Sequence, residues 1–238
     1  MRVLFLSVLA IIASLQSAMA DEASIPPQAQ VAKDMLLTVL AQYQPGAPIT
    51  GALKTSVDAA AKRLEATNTA PVNLNENEDV RGLWVNLFSS QGIMGDVDVA
   101  FMTRTLPGGG KPGGKAIIQS ISQELVPEQR FYRNMMVMTA GEKKVPILYI
   151  ATADLGIASD RSNDLEVLFH TIVFAPGGKG ISNKDVRGAL ALDDTTPLSI
   201  DIPITDKRKA SRSTVTYLDH DLRINRGKDY IAILRKVH

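Results

Sequence analysis

The chain has 238 residues, 45% hydrophobic and 21% charged, with 26 basic side chains against 25 acidic ones and no cysteine. That balance excludes electrostatic attraction to nucleic acid, and the missing thiols exclude a disulfide framework and thiolate chemistry. Only three imidazoles, His170, His220 and His238, are present; no ligand spacing relates them, so neither a metal nor a cofactor is expected.

In chain order, Arg2, the apolar run 3–15 and Ala18-Met19-Ala20 have the form of a signal peptide over 1–20, cleaved after Ala20. An exported protein, periplasmic or secreted, is therefore expected. The run is about half of what a spanning helix needs, so no membrane span is predicted. Residues 21–30, with Pro26-Pro27, read as a flexible arm, and 31–238 as one domain. Val31, Met35, Leu36, Val39, Leu40 and Tyr43 recur at helical spacing over 28–43. A second helix is predicted over 50–66, apolar at Leu53, Val57, Ala60 and Leu64. This helical part, 31–66, needs a hydrophobic surface to cover, and peripheral contact with a lipid layer is the other use of such faces.

Past the Asn- and Pro-containing tract 68–79 the period changes from 3.6 to 2. Strands are predicted near 80–89, 96–103, 115–123, 129–139, 145–152, 165–174, 187–192, 198–203, 214–224 and 229–236. Many short strands with no helices between them imply a mainly β fold, an antiparallel barrel or sandwich over 80–236. Two of them, around Trp84 and Phe169, are apolar on both faces and must be covered on both. A barrel roofed outside by the two helices supplies both covers.

Several constellations stop short of chemistry. Residues 109–116, GGKPGGKA, nearly spell a phosphate-binding loop, but Ala116 stands where the magnesium-binding hydroxyl is needed and a strand follows where a helix should. No Gly-x-Ser-x-Gly elbow occurs, and nothing ties His170 or His220 to a serine. Asp219-His220-Asp221 could suggest a divalent cation, yet Arg223 and Arg226 are nearby partners. No catalytic set emerges, and a non-enzymatic role is expected.

The most informative stretch is 214–234, TVTYLDHDLRINRGKDYIAIL, read as two closing strands around the turn Arg226-Gly227-Lys228-Asp229. Uninterrupted alternation over 214–224 would put Tyr217, Asp219, Asp221, Arg223 and Asn225 on one face and Leu218, His220, Leu222 and Ile224 on the other. The words Thr216-Tyr217-Leu218-Asp219-x-Asp221-Leu222-Arg223-Ile224-x-Arg226-Gly227, Leu64-Glu65-Ala66-x-Asn68 with Pro71, and Gly82-Leu83-Trp84 resemble those of the PAP/fibrillin proteins, also called plastid lipid-associated proteins or plastoglobulins. Thr69 and His220 depart from the pattern, and the leader resembles that of an exported bacterial-type member rather than a plastid one.

The resemblance covers roughly 31–236 and implies a lipocalin-like barrel that binds a lipid, isoprenoid or pigment. It further implies a latch in which Arg223, or failing that Arg226, lies over Trp84, with Asp219 or Asp221 neutralising the guanidinium and Gly82 and Gly227 allowing close approach. Phe101, Phe131, Met135, Tyr149 and Phe169 are the candidate ligand-lining residues. Two function classes stay open: carriage of a small hydrophobic ligand inside the barrel, or coating of a lipid surface or partner by a filled one.

Overall fold

The computed structural model describes residues 26–44, 47–91, 95–204 and 209–238, so the leader expected at 1–20 lies outside the described residues. The β-rich segments form β1 (Gly82–Ser89), β2 (Gly95–Asp98), β3 (Lys115–Val126), β4 (Phe131–Ala140), β5 (Val145–Ile157), β6 (Asp164–Pro176), β7 (Ser199–Asp201), β8 (Ser211–Leu218), β9 (Leu222–Arg226) and β10 (Ile231–Val237). Eight of these close an antiparallel barrel in the order β1-β10-β9-β8-β6-β5-β4-β3, with β3 returning to β1. Closure gives each of these eight strands a partner on both sides over at least part of its length. β2 extends β3, and β7 lies on β6.

Two helices precede the barrel, α1 (Pro27–Leu40) and α2 (Gly51–Glu65), and the hydroxyl of Thr50 caps α2 by accepting from Leu53 N at 3.2 Å. Both lie on the outside of β1, β10, β9 and β8, where Leu36, Leu40, Val57 and Leu64 meet Phe88, Leu222, Ile224 and Ile233. Fully burying one such aliphatic side chain stabilises the fold by ~1.5–3 kcal/mol, which is what holds the helical layer to the sheet. None of the described helices is long and apolar enough to cross a membrane.

Inside the barrel the apolar side chains divide into two groups. At the end where the chain enters, Trp84, Leu125, Tyr132, Leu155, Leu165 and Leu234 pack together. At the other end Ile118, Met138, Ile147 and Phe174 are plugged by α3 (Val99–Thr103) and α4 (Asn183–Ala189) through Val99, Val186 and Leu190.

Several expectations are corrected. The strand predicted over 96–103 ends at Asp98, because Val99, Met102 and Thr103 then turn together onto the barrel end as a helix. The strand predicted over 187–192 is instead the end of α4 and the turn after it, the helix being started by a capping box in which Ser182 and Asp185 satisfy each other's backbone N–H groups. The arm predicted over 21–30 gives way to α1 at Pro27, a residue suited to the first helical turn because its missing N–H is unneeded there. The buried stripe of α1 runs through Ala29, Ala32, Lys33, Leu36 and Leu40, leaving Val31 and Met35 outside; counting alanines as apolar and accepting one buried lysine would have turned the predicted face.

Candidate ligand site at the seam of the barrel

The C-terminal word does not run as one strand. At Asp219 the chain turns, and the Asp219 carboxylate accepts the N–H groups of Asp221 and Leu222 at 2.8 and 2.7 Å. An Asp that bonds its own backbone two residues on favours a turn over a ladder. Alternation restarts at Leu222. Leu222, Ile224 and Arg226 then face the helices, while Arg223 and Asn225 face the interior.

This restart separates charges that were expected to meet. Asp219 and Asp221 do not neutralise Arg223; both bind the ammonium of Lys33 on α1, at 3.0 and 3.1 Å. Lys33 is 4% exposed, and the Tyr217 hydroxyl also donates to Asp219 at 2.8 Å. Nor does Arg226 approach Trp84: its Nε and Nη2 donate to Glu65 at 2.8 and 2.9 Å and its Nη1 to Asp58 at 2.8 Å, tying β9 to α2. Asn68 Nδ2 donates to Thr216 O at 2.9 Å, so the Leu-Glu-x-x-Asn segment and the C-terminal word pack on each other.

Arg223 is fully buried, and its guanidinium carbon lies 4.9 Å from the centre of a Trp84 ring. The indole is itself fully buried, donating to Val80 O at 3.0 Å. Nη2 of Arg223 donates to Gln123 Oε1, whereas its Nε and Nη1 have no partner among the described residues. Burial lowers its pKa to about 10, against the counter-effect of the neighbouring Tyr132 and Tyr230 hydroxyls. Gly82 holds φ of +117°, a region that L side chains avoid, where the chain enters β1. At Gly227 a Cβ would come within 2.0 Å of the Tyr230 ring.

Of the candidate ligand residues, only two face the interior. Tyr149 meets Phe174 edge-on at 5.1 Å between ring centres, and Phe169 meets Tyr132 at 5.8 Å. Phe131 and Met135 alternate with the inward Tyr132 and Met138 on β4 and so lie on its outer face. Phe101 sits on α3, 56% exposed, with the Arg104 guanidinium 4.1 Å from its ring centre.

Among the described residues two joins of the barrel wall are short: β6 pairs β8 only from Asp164 to Val167, and the join of β1 to β3 is as brief. β1 and β3 pair only from Gly82 to Val85; beyond that point β1 has a register irregularity against β10 between Asn86 and Phe88, and β3 one against β4 between Ile118 and Ser120. The resulting seam, under the end of α1, holds a cavity of about 410 Å³ walled by Leu37, Leu40, Tyr43, Val85 and Leu87, with Asn86 and Ser120 at the wall opening and Arg235 among its lining. A smaller internal cavity of about 180 Å³ touches Gln123, Tyr132, Phe169, Asn225 and Tyr230. A larger groove of about 680 Å³ between the 67–79 loop and the Asp219–His220 turn is more open, with Pro71, Val72 and Leu218 in its lining beside the acids Glu76, Glu78 and Asp79. Asp219, His220 and Asp221 present ligand atoms within 4.8 Å of one another, but the Lys33 ammonium already occupies that cluster.

These outer ion pairs carry a pH signature. Hydrogen bonds from Lys62 and Arg226 hold the Asp58 carboxyl below its ordinary range. For Asp221 burial opposes ionisation, but the bonds from Lys33 and His238 outweigh it and the net direction is again down. A depressed folded-state pKa contributes stability that is complete above the unfolded value of ~3.9 and disappears as pH falls through the folded one. A modest loss of stability is therefore expected below about pH 4, modest because both side chains are more than a third exposed and screened by water, and it is followed by near- and far-UV circular dichroism. An acid titration with no stability loss in that window would contradict these pairings.

The fold, its outer helices and this seam define a lipocalin-like β-barrel protein. The family model PAP_fibrillin matches residues 30–234, and the chain belongs to the PAP/fibrillin family. Family and barrel together fit a lipid-associated protein. No curated protein and no solved structure matches the chain.

Sequence reasoning missed Lys33, Glu65, Gln123 and Asn86 as site residues. Lys33 carried a signal, since it stands among Ala29, Ala32 and Leu36 on one helical face. Gln123 and Asn86 carried none, because polar residues alternate on the outer faces of strands as well.

Proposed function

We propose that the protein is a non-enzymatic, exported binder of a small hydrophobic molecule, a lipid, isoprenoid or pigment. The observation that carries this reading is the seam cavity, whose volume of about 410 Å³ falls within the ~300–1,000 Å³ of small-molecule sites and whose walls are mainly aliphatic and aromatic, with Asn86, Gln119, Ser120 and Arg235 as the polar groups. Apolar side chains fill much of the barrel interior, which supports a ligand seated at the seam rather than along the barrel axis. Binding would follow from apolar area removed from water. Mass spectrometry of an organic extract of protein from its native source identifies the cargo; a protein free of any extractable lipid that also binds no polyene probe would overturn the reading.

One substitution localises the site. Ala41 lies on the cavity lining at the end of α1 and is exposed, so Ala41→Trp fills the seam without disturbing the core. Displacing about five ligand atoms at ~0.3 kcal/mol each weakens binding about tenfold. Export is supported by the leader, and N-terminal sequencing of the mature chain should begin at Asp21.

A second reading, coating of a lipid surface, is favoured by Val31 and Met35. They stand one turn apart on the outer side of α1, 61% and 43% exposed. Flotation with vesicles, reduced in Val31→Gln with Met35→Gln, is its measurement.

A further inference from the structure

The middle of the barrel is polar. Asn86 on β1, Gln123 on β3, Asn134 on β4, and Arg223 and Asn225 on β9 form a belt between the two apolar ends of the interior. Their placement follows from the register: Gln123 pairs with both Trp84 and Asn134, and Leu234 pairs with both Asn86 and Arg223. The amide oxygens of Asn86, Asn134 and Asn225, together with Nε and Nη1 of Arg223, have no hydrogen-bond partner among the described residues.

The acids of the surrounding elements are engaged elsewhere. Asp219 and Asp221 hold Lys33, Asp58 and Glu65 hold Arg226, and Glu124 pairs with Arg133. Arg223 is therefore a buried cation that no described carboxylate neutralises, which is a costly arrangement unless an anion arrives from outside the chain. Asn86, 7% exposed, belongs both to this belt and to the seam cavity. Asn86 is thus the belt residue that also lines the seam cavity, beside the end of the β1–β3 pairing.

Resting on the function proposed above, we propose that the belt receives the ionised carboxylate head of a single-chain amphiphile, which enters between β1 and β3, neutralises Arg223, and leaves its tail against Leu37, Leu40, Tyr43 and Leu87. The head accepts hydrogen bonds from the guanidinium, and half a turn of the Asn86 or Asn134 amide presents an NH2 to the same anion. The reverse orientation would press the tail against unpartnered polar groups, which is unfavourable.

The experiment compares cis-parinaric acid with its methyl ester by fluorescence titration on the full mature chain, in the wild type and in Arg223→Met, Arg235→Gln and Ala41→Trp. A charge-assisted hydrogen bond predicts that the wild type prefers acid to ester by about tenfold to a hundredfold. Arg223→Met should abolish that preference while leaving ester binding in place. The variant should fold, because an unbranched apolar chain replaces an unpaired buried charge. Should it not, the excess of the acid-induced over the ester-induced rise in wild-type melting temperature, and its loss in Ala41→Trp, decide the matter.

Equal binding of acid and ester, unaffected by Arg223→Met, overturns the head-inward site while leaving a hydrophobic binder. A preference lost in Arg235→Gln but kept in Arg223→Met overturns it by placing the head at the rim. Acid binding undiminished in Ala41→Trp overturns the seam as the place of the tail. Failure of both probes to bind removes the function proposed above along with this site.

Discussion

Lys33→Met is expected to destabilise the protein by about 3–5 kcal/mol, a fall in melting temperature of about 6–20 °C for a domain of this size. The side chain is almost wholly buried, and its ammonium is the cation that compensates Asp219, itself only 11% exposed at the side chain. Removing the lysine leaves the Asp219 side chain partly desolvated and without its counter-charge, held in place by the Asp221 and Leu222 N–H groups. Combining Lys33→Met with Asp219→Asn removes the stranded charge and keeps an acceptor for the turn, so the double variant should recover most of the loss. The difference between the double and the two singles measures the coupling. Thermal unfolding of the four proteins is sufficient; a Lys33→Met curve overlying the wild type would show that α1 is held by its apolar stripe alone.

Trp84→Ala should cost a comparable ~3–5 kcal/mol, the range for emptying a large buried aromatic site. The indole contributes packing at the closed end of the barrel, a hydrogen bond to Val80 O and the ring face under Arg223. Trp84→Phe retains a ring and most of the volume but loses the N–H donor, so its cost should be clearly smaller. Because Trp84 is the only tryptophan in the chain, wild-type fluorescence reports this position directly and should be blue-shifted in the folded state. Denaturant unfolding of Trp84→Ala within ~1 kcal/mol of wild type would mean that the closed end repacks without its centrepiece.

The two substitutions probe different faces of one segment, and that difference was invisible in the chain. Arg223 could be matched to Trp84 from the C-terminal word, but the acids beside it could not be assigned without the turn at Asp219. Period-2 reasoning assumes an uninterrupted strand. Three residues of turn remove Asp219 and Asp221 from the strand's alternation, and the partner that claims them, Lys33, is 186 residues away from Asp219. Glu65 and Arg226 show the same limit: each stood in a recognisable word, and only the docking of α2 on β9 joined them.

Other misses were legible in principle. Ser182 followed by Asp185 announces the start of α4, and a β-biased reading of 187–192 passed over it. For α3 the turn-rich surroundings of Phe101 and Met102 carried no comparable signal, since five residues are too few to show a period.

What the sequence determined alone is the succession of two amphipathic helices and a run of short antiparallel strands, because hydrophobic periodicity and turn chemistry are local and act before any long-range contact forms. Tertiary structure alone decided where the wall of the barrel opens, which charges meet, and that a lone guanidinium lies among amides at its centre. Those depend on strand register and closure, where one bulge in β1 and another in β3 redirect side chains whose partners lie far along the chain.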